Sequence, residues 1–356
     1  MSYPEGSVKG RGAVSNHPSR FLPAHTLVAD DGWGRDPADE APRLETTVLP
    51  DRTRQLITRN QSSDVPFDHS INPYKGCEHG CIYCFARPTH AFLDLSPGMD
   101  FETRLFFKTG VREHLTDELC RKGYVPTPMA LGTNTDPYQP IERERRVTRE
   151  ILEVLLECRH PVTLVTKGAG VLRDVDLWSE LARLGLAQVK VSITTLKHDL
   201  KNKLEPRTAS PEARLKVLKT LHEAGVPVGV LAAPMIPFIN DHELEDILAA
   251  ARECGATHAN YILLRLPLEV QALFMEWLDA HYPGQKERVL AAIRDTRGGA
   301  LYQSGFGQRM RGTGPIAELL GNRFKIVICK LGLSRERTEL LRQDLFRPPS
   351  PQGSLF

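Results

Sequence analysis

The chain has no apolar run long enough to cross a bilayer. The longest, Val226 to Ile236, is interrupted by proline and falls far short of a span. Its first residues, Met-Ser-Tyr-Pro-Glu-Gly, lack the apolar core that a signal peptide needs. Net charge is nearly absent as well: 46 basic and 44 acidic residues leave +2, which argues neither for nor against a polyanionic partner. Cysteine is sparse, seven in all, and four of these (Cys120, Cys158, Cys254 and Cys329) stand alone. That pattern does not fit a disulfide framework; isolated thiols in a reducing compartment are usually small buried hydrophobes. With 41% apolar and 25% charged residues in 356, the composition is that of a globular protein able to bury a large core. A soluble cytoplasmic protein with no membrane partner is expected, one α/β barrel with extensions being compatible with the length.

The remaining three cysteines fall together in Cys77-Glu-His-Gly-Cys81-Ile-Tyr-Cys84, a C-x3-C-x2-C spacing. Three thiolates can hold three corners of a 4Fe-4S cube and leave one iron open, whereas a cluster used only for electron transfer normally has four. A metal with an unclaimed position is built to bind a substrate or cofactor directly, as in catalytic rather than structural zinc sites. A zinc reading needs a fourth ligand, and His79, inside so tight a turn, would be strained in that role. A disulfide would leave an odd thiol.

With Tyr83 just before the last cysteine, this stretch resembles the first motif of the radical S-adenosylmethionine (SAM) superfamily. The surrounding Ser70-Ile-Asn-Pro-Tyr-Lys-Gly-Cys77 and Gly132-Thr-Asn-Thr-Asp-Pro-Tyr138 are similar to the branch related to spore photoproduct lyase, over roughly residues 55 to 300. The resemblance implies a partial (β/α)6 TIM-type barrel with parallel strands, a 4Fe-4S cluster on Cys77, Cys81 and Cys84, and SAM bound at the open iron. It implies reductive cleavage of SAM to a 5′-deoxyadenosyl radical that abstracts hydrogen from a substrate, with the electron supplied by an external flavodoxin- or ferredoxin-type donor. The absence of a second C-x2-C disfavours branches with auxiliary clusters. The chain also departs from the lyase itself: Ala130 to Asp136 holds no cysteine where the lyase carries its hydrogen-returning one. Shared radical machinery on a different, unidentified substrate is therefore expected, with Tyr138 or Cys120 as candidate substitutes.

Three regions are read along the chain. Residues 1–54 are rich in Pro, Gly and Ser without sustained period, a tail that is flexible or draped over the domain. Within it, Lys9-Gly-Arg-Gly-Ala13 and Arg20-Phe-Leu22 read as a solvated terminus or a docking arm. Residues 55–300 alternate β-rich runs with amphipathic helices. Strands are expected at 68–73, 128–131, 162–165, 188–193, 227–232 and 259–264, starting about every 26 to 40 residues as βα units do. In a helix expected from about Arg143 to Cys158, Val147, Ile151, Val154, Leu155 and Cys158 share one face, as do Leu244, Ile247, Leu248 and Ala251 in the helix ending near Cys254. Ser210-Pro-Glu212 is a helix start, and Gly225 ends that helix. Residues 301–356 hold nine basic residues (Arg309, Arg311, Arg323, Lys325, Lys330, Arg335, Arg337, Arg342, Arg347) against four acids, interleaved with Tyr302, Phe306 and Phe324. This extension reads as a nucleic-acid surface or as a helical cap with solvated charges.

In parallel α/β folds ligands sit at the carboxyl ends of strands. There the resemblance places Tyr83 beside the adenine, and Thr133, Asn134, Thr135 and Asp136 near the SAM ammonium, which needs oxygen acceptors. Lys167 is placed at the SAM carboxylate. Ser192 and Thr194 lie within reach of the ribose, Arg207 offers a second carboxylate partner, and Ala233-Pro-Met-Ile-Pro237 lies near the adenine. Two further readings stand beside this one: a zinc-stabilised nucleic-acid-binding protein, and a scaffold that keeps the cluster without turnover.

Overall fold

The computed structural model describes residues 8–21, 44–335 and 341–349. Each of the six expected strands is present. With β1 at Thr47–Asp51 and β2 at Ile57–Arg59, they are β3 (His69–Ile71), β6 (Met129–Leu131), β7 (Val162–Thr166), β8 (Ala187–Ser192), β9 (Val228–Met235) and β10 (His258–Leu263); β4 (Tyr74–Lys75) and β5 (Arg104–Lys108) fall between. The main sheet runs β10-β9-β8-β7-β6-β3-β2. Every neighbouring pair from β3 to β10 is parallel, while β2 returns antiparallel to β3. The central strands are nearly continuous runs of buried apolar residues, as expected for strands covered on both faces.

The helices cover the outer face with the stripes expected of them. Ile151, Leu155, Ile247, Leu248 and Ala251 are fully buried, and each large aliphatic side chain so buried contributes about 1.5–3 kcal/mol. The helix Pro211–Glu223 starts where expected: the Ser210 hydroxyl accepts from the Ala213 N–H at 3.2 Å. One helix differs. The continuous stretch expected from Arg143 to Cys158 is broken into Glu142–Arg145 and Val147–Glu157 by Arg146, whose φ is 53°. The broken turn lets Glu142 accept from the Thr148 N–H while its carboxylate also meets Tyr74 and Arg173.

A second, small sheet in the order β1-β5-β4 was not anticipated. It places β1 inside the stretch read as a tail, parallel to β5. Residues 8–21 lie draped across the domain. Arg11 Nη1 donates to the Glu102 carbonyl at 2.9 Å, and the Gly12 and Ala13 N–H groups donate to the Glu102 carboxylate at 3.0 and 2.9 Å. Further along, Ser19 bonds the Ala91 carbonyl, and Arg20 pairs with Glu269. Leu22 lies outside the described residues.

An open seven-stranded sheet has two edges, and the C-terminal region joins them. Along β10, Leu263 N–H donates to the Met310 carbonyl at 3.0 Å and Ala259 N–H to the Ser334 carbonyl at 2.9 Å. On the opposite side, Asp64, in the loop between β2 and β3, accepts from the Gly307 N–H and pairs with Arg309. Arg297, 1% exposed, fixes the junction by donating to the carbonyls of Leu263, Leu264, Gln308 and Arg309. The extension is thus a wall of the barrel as well as a helix, Gly314–Leu331, packed outside it. Three of its charges are paired with carboxylates: Arg309 with Asp64, Arg323 with Glu245 and Arg342 with Asp344. Arg337 lies outside the described residues.

Candidate active site

The cysteine loop begins two residues after β4 and is tied down on every side. Cys77 N–H donates to the Phe101 carbonyl at 2.9 Å, Ile82 N–H to the Leu204 carbonyl at 3.1 Å, and Arg207 N–H to the His79 carbonyl at 3.3 Å. Gln139 bridges the Glu78 N–H and the Gly76 carbonyl. Arg87, fully buried, donates from Nε to the Cys81 carbonyl at 2.9 Å and pairs with the fully buried Glu102. Gly80 holds a φ of 67°, a region that glycine enters without penalty. The closest approach is to the draped segment: a Cβ on Gly12 would lie 1.7 Å from the Gly80 carbonyl oxygen, so only glycine fits there.

The three cysteines are free, and all line one cavity of about 670 Å³ at the carboxyl ends of the strands. Burial raises the thiol pKa of each, that of Cys81 to about 12, and Cys77 also feels the charges of Asp136, Cys81 and Cys84. Thiols in such a place become thiolates when a metal takes them. Their spacing bears on which metal. Among the described residues, the trio of Cys, His, Asp and Glu ligand atoms found within 4.8 Å of one another is Glu113, His114 and Asp117 on an outer helix, not the three cysteine sulfurs. One tetrahedral zinc with Zn–S near 2.3 Å would hold its sulfurs roughly 3.8 Å apart. A larger, soft, multinuclear group bound through thiolates suits this donor set better.

Of the other candidate residues, Tyr83, Thr133, Asn134, Asp136, Lys167 and Ser192 line the same cavity, while Thr194 and Arg207 are not among its lining residues. Lys167 Nζ donates to Ser192 Oγ at 2.9 Å, lies 3.9 Å from Glu205 and sits 5.8 Å over the Tyr83 ring. Thr133 Oγ1 and the Asn134 N–H both donate to Asn72 Oδ1, at 3.2 and 3.0 Å. Thr194 Oγ1 lies inside the wall, bonded to Glu205 at 2.5 Å and to the Ala233 carbonyl at 2.9 Å. Arg207 is on the other side of the cysteine loop, donating to Glu78 at 3.0 Å. Ala233 and Pro234 line the cavity, whereas Met235 and Ile236 are buried in the core. Neither candidate substitute for the missing thiol reaches it. Tyr138 is buried with its hydroxyl between Asp174 and Trp178, and Cys120 bonds the Pro349 carbonyl.

Two buried carboxylates that brace this site carry more of its electrostatics than the pattern suggested. Asp136 accepts from the Tyr138 N–H and Thr166 hydroxyl on one oxygen, and from the Lys167 N–H and His79 Nδ1 on the other. These four bonds use the acceptor capacity of a carboxylate, so Asp136 joins the cysteine loop to the ends of β6 and β7. Burial would raise its pKa, but the His79 charge and the hydrogen bonds hold it at about 2. Glu205, fully buried, accepts from Tyr83 and Thr194 and pairs with Arg214; against burial, Arg214 and then Lys167 hold it at about 2. Sequence reasoning missed Glu205 although it lies two residues before Arg207. It also missed Asn72, His79 and Arg214.

Acid should find these groups first. Their native pKa values lie below the ordinary 3.8 and 4.5, so the unfolded chain binds more protons as pH falls through that interval. The stability they confer is complete above about pH 5 and lost as pH drops toward 2. The metal-free protein is expected to unfold over that window when followed by circular dichroism; an unfolding free energy that stays flat from pH 5 to 2 would refute the assignment.

Comparison with known proteins places this geometry. Residues 71–251 match the sequence model described as Radical SAM superfamily. An uncharacterized protein of Mycobacterium tuberculosis is 37% identical over 221 residues, 62% of this chain and 65% of the relative's length. Another, of Methanocaldococcus jannaschii, is 29% identical over 219 residues, 62% of this chain and 78% of that one. Among solved structures, a spore photoproduct lyase mutant with bound AdoMet and dinucleoside spore photoproduct has a TM-score of 0.59 at 16% identity, covering 81% of this chain and 80% of that one. The fold is therefore that of the lyase, with its parallel-strand partial barrel.

Proposed function

This chain belongs to the radical SAM superfamily, and on that footing we propose that it is an enzyme that cleaves SAM reductively at a 4Fe-4S cluster and uses the resulting radical on a substrate held in the same cavity. The observation that carries the proposal is the donor set: three free thiols, one buried and two half-buried, on one loop tied down on every side and facing a large cavity. Cys77, Cys81 and Cys84 would hold the cluster. When bound and reduced by an external flavodoxin- or ferredoxin-type donor, the cluster would supply the one electron needed to cleave SAM reductively, and the resulting radical would take hydrogen from a substrate carbon.

The chain's own residues bind and orient. Lys167, held between Ser192 and Glu205, presents an ammonium for the SAM carboxylate. Thr133 and Asn134, fixed by Asn72, offer side-chain and carbonyl oxygens to the amino group. The Tyr83 hydroxyl is engaged by Glu205, which leaves its ring and backbone for the adenine. Ser192, on the cavity wall, would offer its hydroxyl to the ribose, while Thr194 acts through Glu205.

The test is direct. Protein purified without oxygen is expected to contain about four iron and four sulfide per chain, and with dithionite and SAM to release 5′-deoxyadenosine detectable by chromatography. Stoichiometric zinc without iron, or iron-loaded protein that leaves SAM intact, would refute the proposal.

A further inference from the structure

In the cavity wall formed by β10 and the segment beside it, two guanidinium groups make no ion pair with a carboxylate among the described residues. Arg265 follows the end of β10, and Arg311 lies on the segment that hydrogen-bonds to that strand; both line the cavity. Each guanidinium rests on an aromatic face. Arg265 lies 4.7 Å from the ring centre of Phe85, the residue after Cys84, and Arg311 lies 4.3 Å from that of Tyr261. Stacking fixes the plane of a guanidinium and leaves its N–H edge for a ligand. That edge is poorly satisfied here. Arg265 Nη1 meets the thioether sulfur of Met310 at 3.2 Å, and Arg311 Nη2 donates to Asn260 Oδ1 at 2.7 Å. Arg265 Nε and Arg311 Nη1 are buried with no hydrogen-bond partner among the described residues.

The acids of the cavity are committed elsewhere: Asp64 to Arg309, and Asp136 to His79 and its other donors. Burial lowers the pKa of both guanidinium groups; Tyr302 and Asp64 act to raise that of Arg265 and Tyr261 that of Arg311, while Arg309 and Arg335 push the other way. Arginine stays charged regardless, so each is a partly desolvated cation with a like-charged neighbour and no carboxylate paired to it. Such an arrangement is costly unless an anion completes it.

We propose that Arg265 and Arg311 form an oxyanion site, and that the substrate of this cavity presents a carboxylate or a phosphate to them. The site stands on its own geometry; that its ligand is the substrate rests on the function proposed above. Anchoring the anionic end on these arginines would fix the orientation of the substrate's carbon framework in the cavity that the three cysteines also line, which is what selective hydrogen abstraction requires.

The cluster-loaded protein with SAM would be titrated calorimetrically with inorganic phosphate and, separately, with acetate, at constant low ionic strength. Saturable binding of one anion is expected, weakened at least about tenfold in Arg265→Gln and in Arg311→Gln, as for loss of a charged hydrogen-bonding partner. Phosphate binding would identify a phosphorylated ligand, acetate binding a carboxylic acid. Arg265→Lys and Arg311→Lys, which keep the charge but lose the fork, should bind with intermediate affinity and serve if a glutamine variant fails to fold. Absence of saturable binding by either anion, or binding unchanged in all four variants, would overturn the site. Protein that binds the anion but never cleaves SAM would keep the site and lose the proposed function; protein that cleaves SAM and ignores both anions would do the reverse.

Discussion

A Cys81→Ala variant prepared without oxygen is expected to lose its iron and, with it, 5′-deoxyadenosine formation down to background. The loss follows from the coordination. Two thiolates cannot hold a cube that three hold with one iron open, and among the described residues no further cysteine lines the cavity to replace the missing sulfur. The fold should survive the change. What fixes the loop at this position is the Cys81 carbonyl, which accepts from Arg87, and not the side chain. The variant's far-ultraviolet spectrum, and its melt compared with metal-free parent protein, should therefore be close to unchanged. Retained iron with undiminished SAM cleavage would remove Cys81 from the ligand set.

The second large effect is expected at Glu102, which touches no cofactor candidate. Its carboxylate accepts from the Gly12 and Ala13 N–H groups and pairs with Arg87, all in surroundings with no solvent contact. Glu102→Ala would strand a fully buried guanidinium and release two backbone donors. Breaking one side of a buried pair costs about 3–5 kcal/mol, readable as a shift in the denaturation midpoint of the metal-free protein. The same change should free residues 8–21, so limited proteolysis with trypsin should cut at Arg11 in the variant before it cuts the parent. Gly12→Ala provides an independent check, because the new Cβ would collide with the Gly80 carbonyl at 1.7 Å while leaving Glu102 intact. Early cleavage at Arg11 in both variants is expected. Parent-like resistance in both would mean that the segment is held by something else.

Legibility in the sequence followed the physics of each element. The six parallel strands could be read because strands buried on both faces must be apolar throughout, and Val228-Gly-Val-Leu-Ala232 is a run of that kind. β1, by contrast, is Thr-Val-Leu-Pro-Asp with mostly exposed or half-exposed side chains, and β2 and β4 span three and two residues. Segments so short and mixed carry no periodic signal. The cysteines and Lys167 were accessible through their place at strand ends. Glu205, Arg214, His79 and Asn72 were not, because a buried polar network is assembled from loops far apart in the chain and its members look like ordinary surface residues until they meet. The same reason separates Glu205 from Arg207: two residues apart on an irregular segment, Glu205 turns inward to Tyr83 while Arg207, outside the cavity lining, reaches Glu78.

The join between the two sheet edges has a consequence for how the chain can be divided. The superfamily match ends at residue 251, before β10 begins. Yet the N–H groups along the outer side of β10 are answered only by residues 310 and 334, among those described. Cut back to its most recognisable portion, the polypeptide would lose β10 and expose β9 as a bare edge, and unanswered amides on such a ribbon recruit strands from other molecules. Insolubility of a shortened form would thus report a missing selvedge rather than a defective core, and supplying residues 252–335, β10 together with the segments that cover it, should restore solubility before it restores any chemistry.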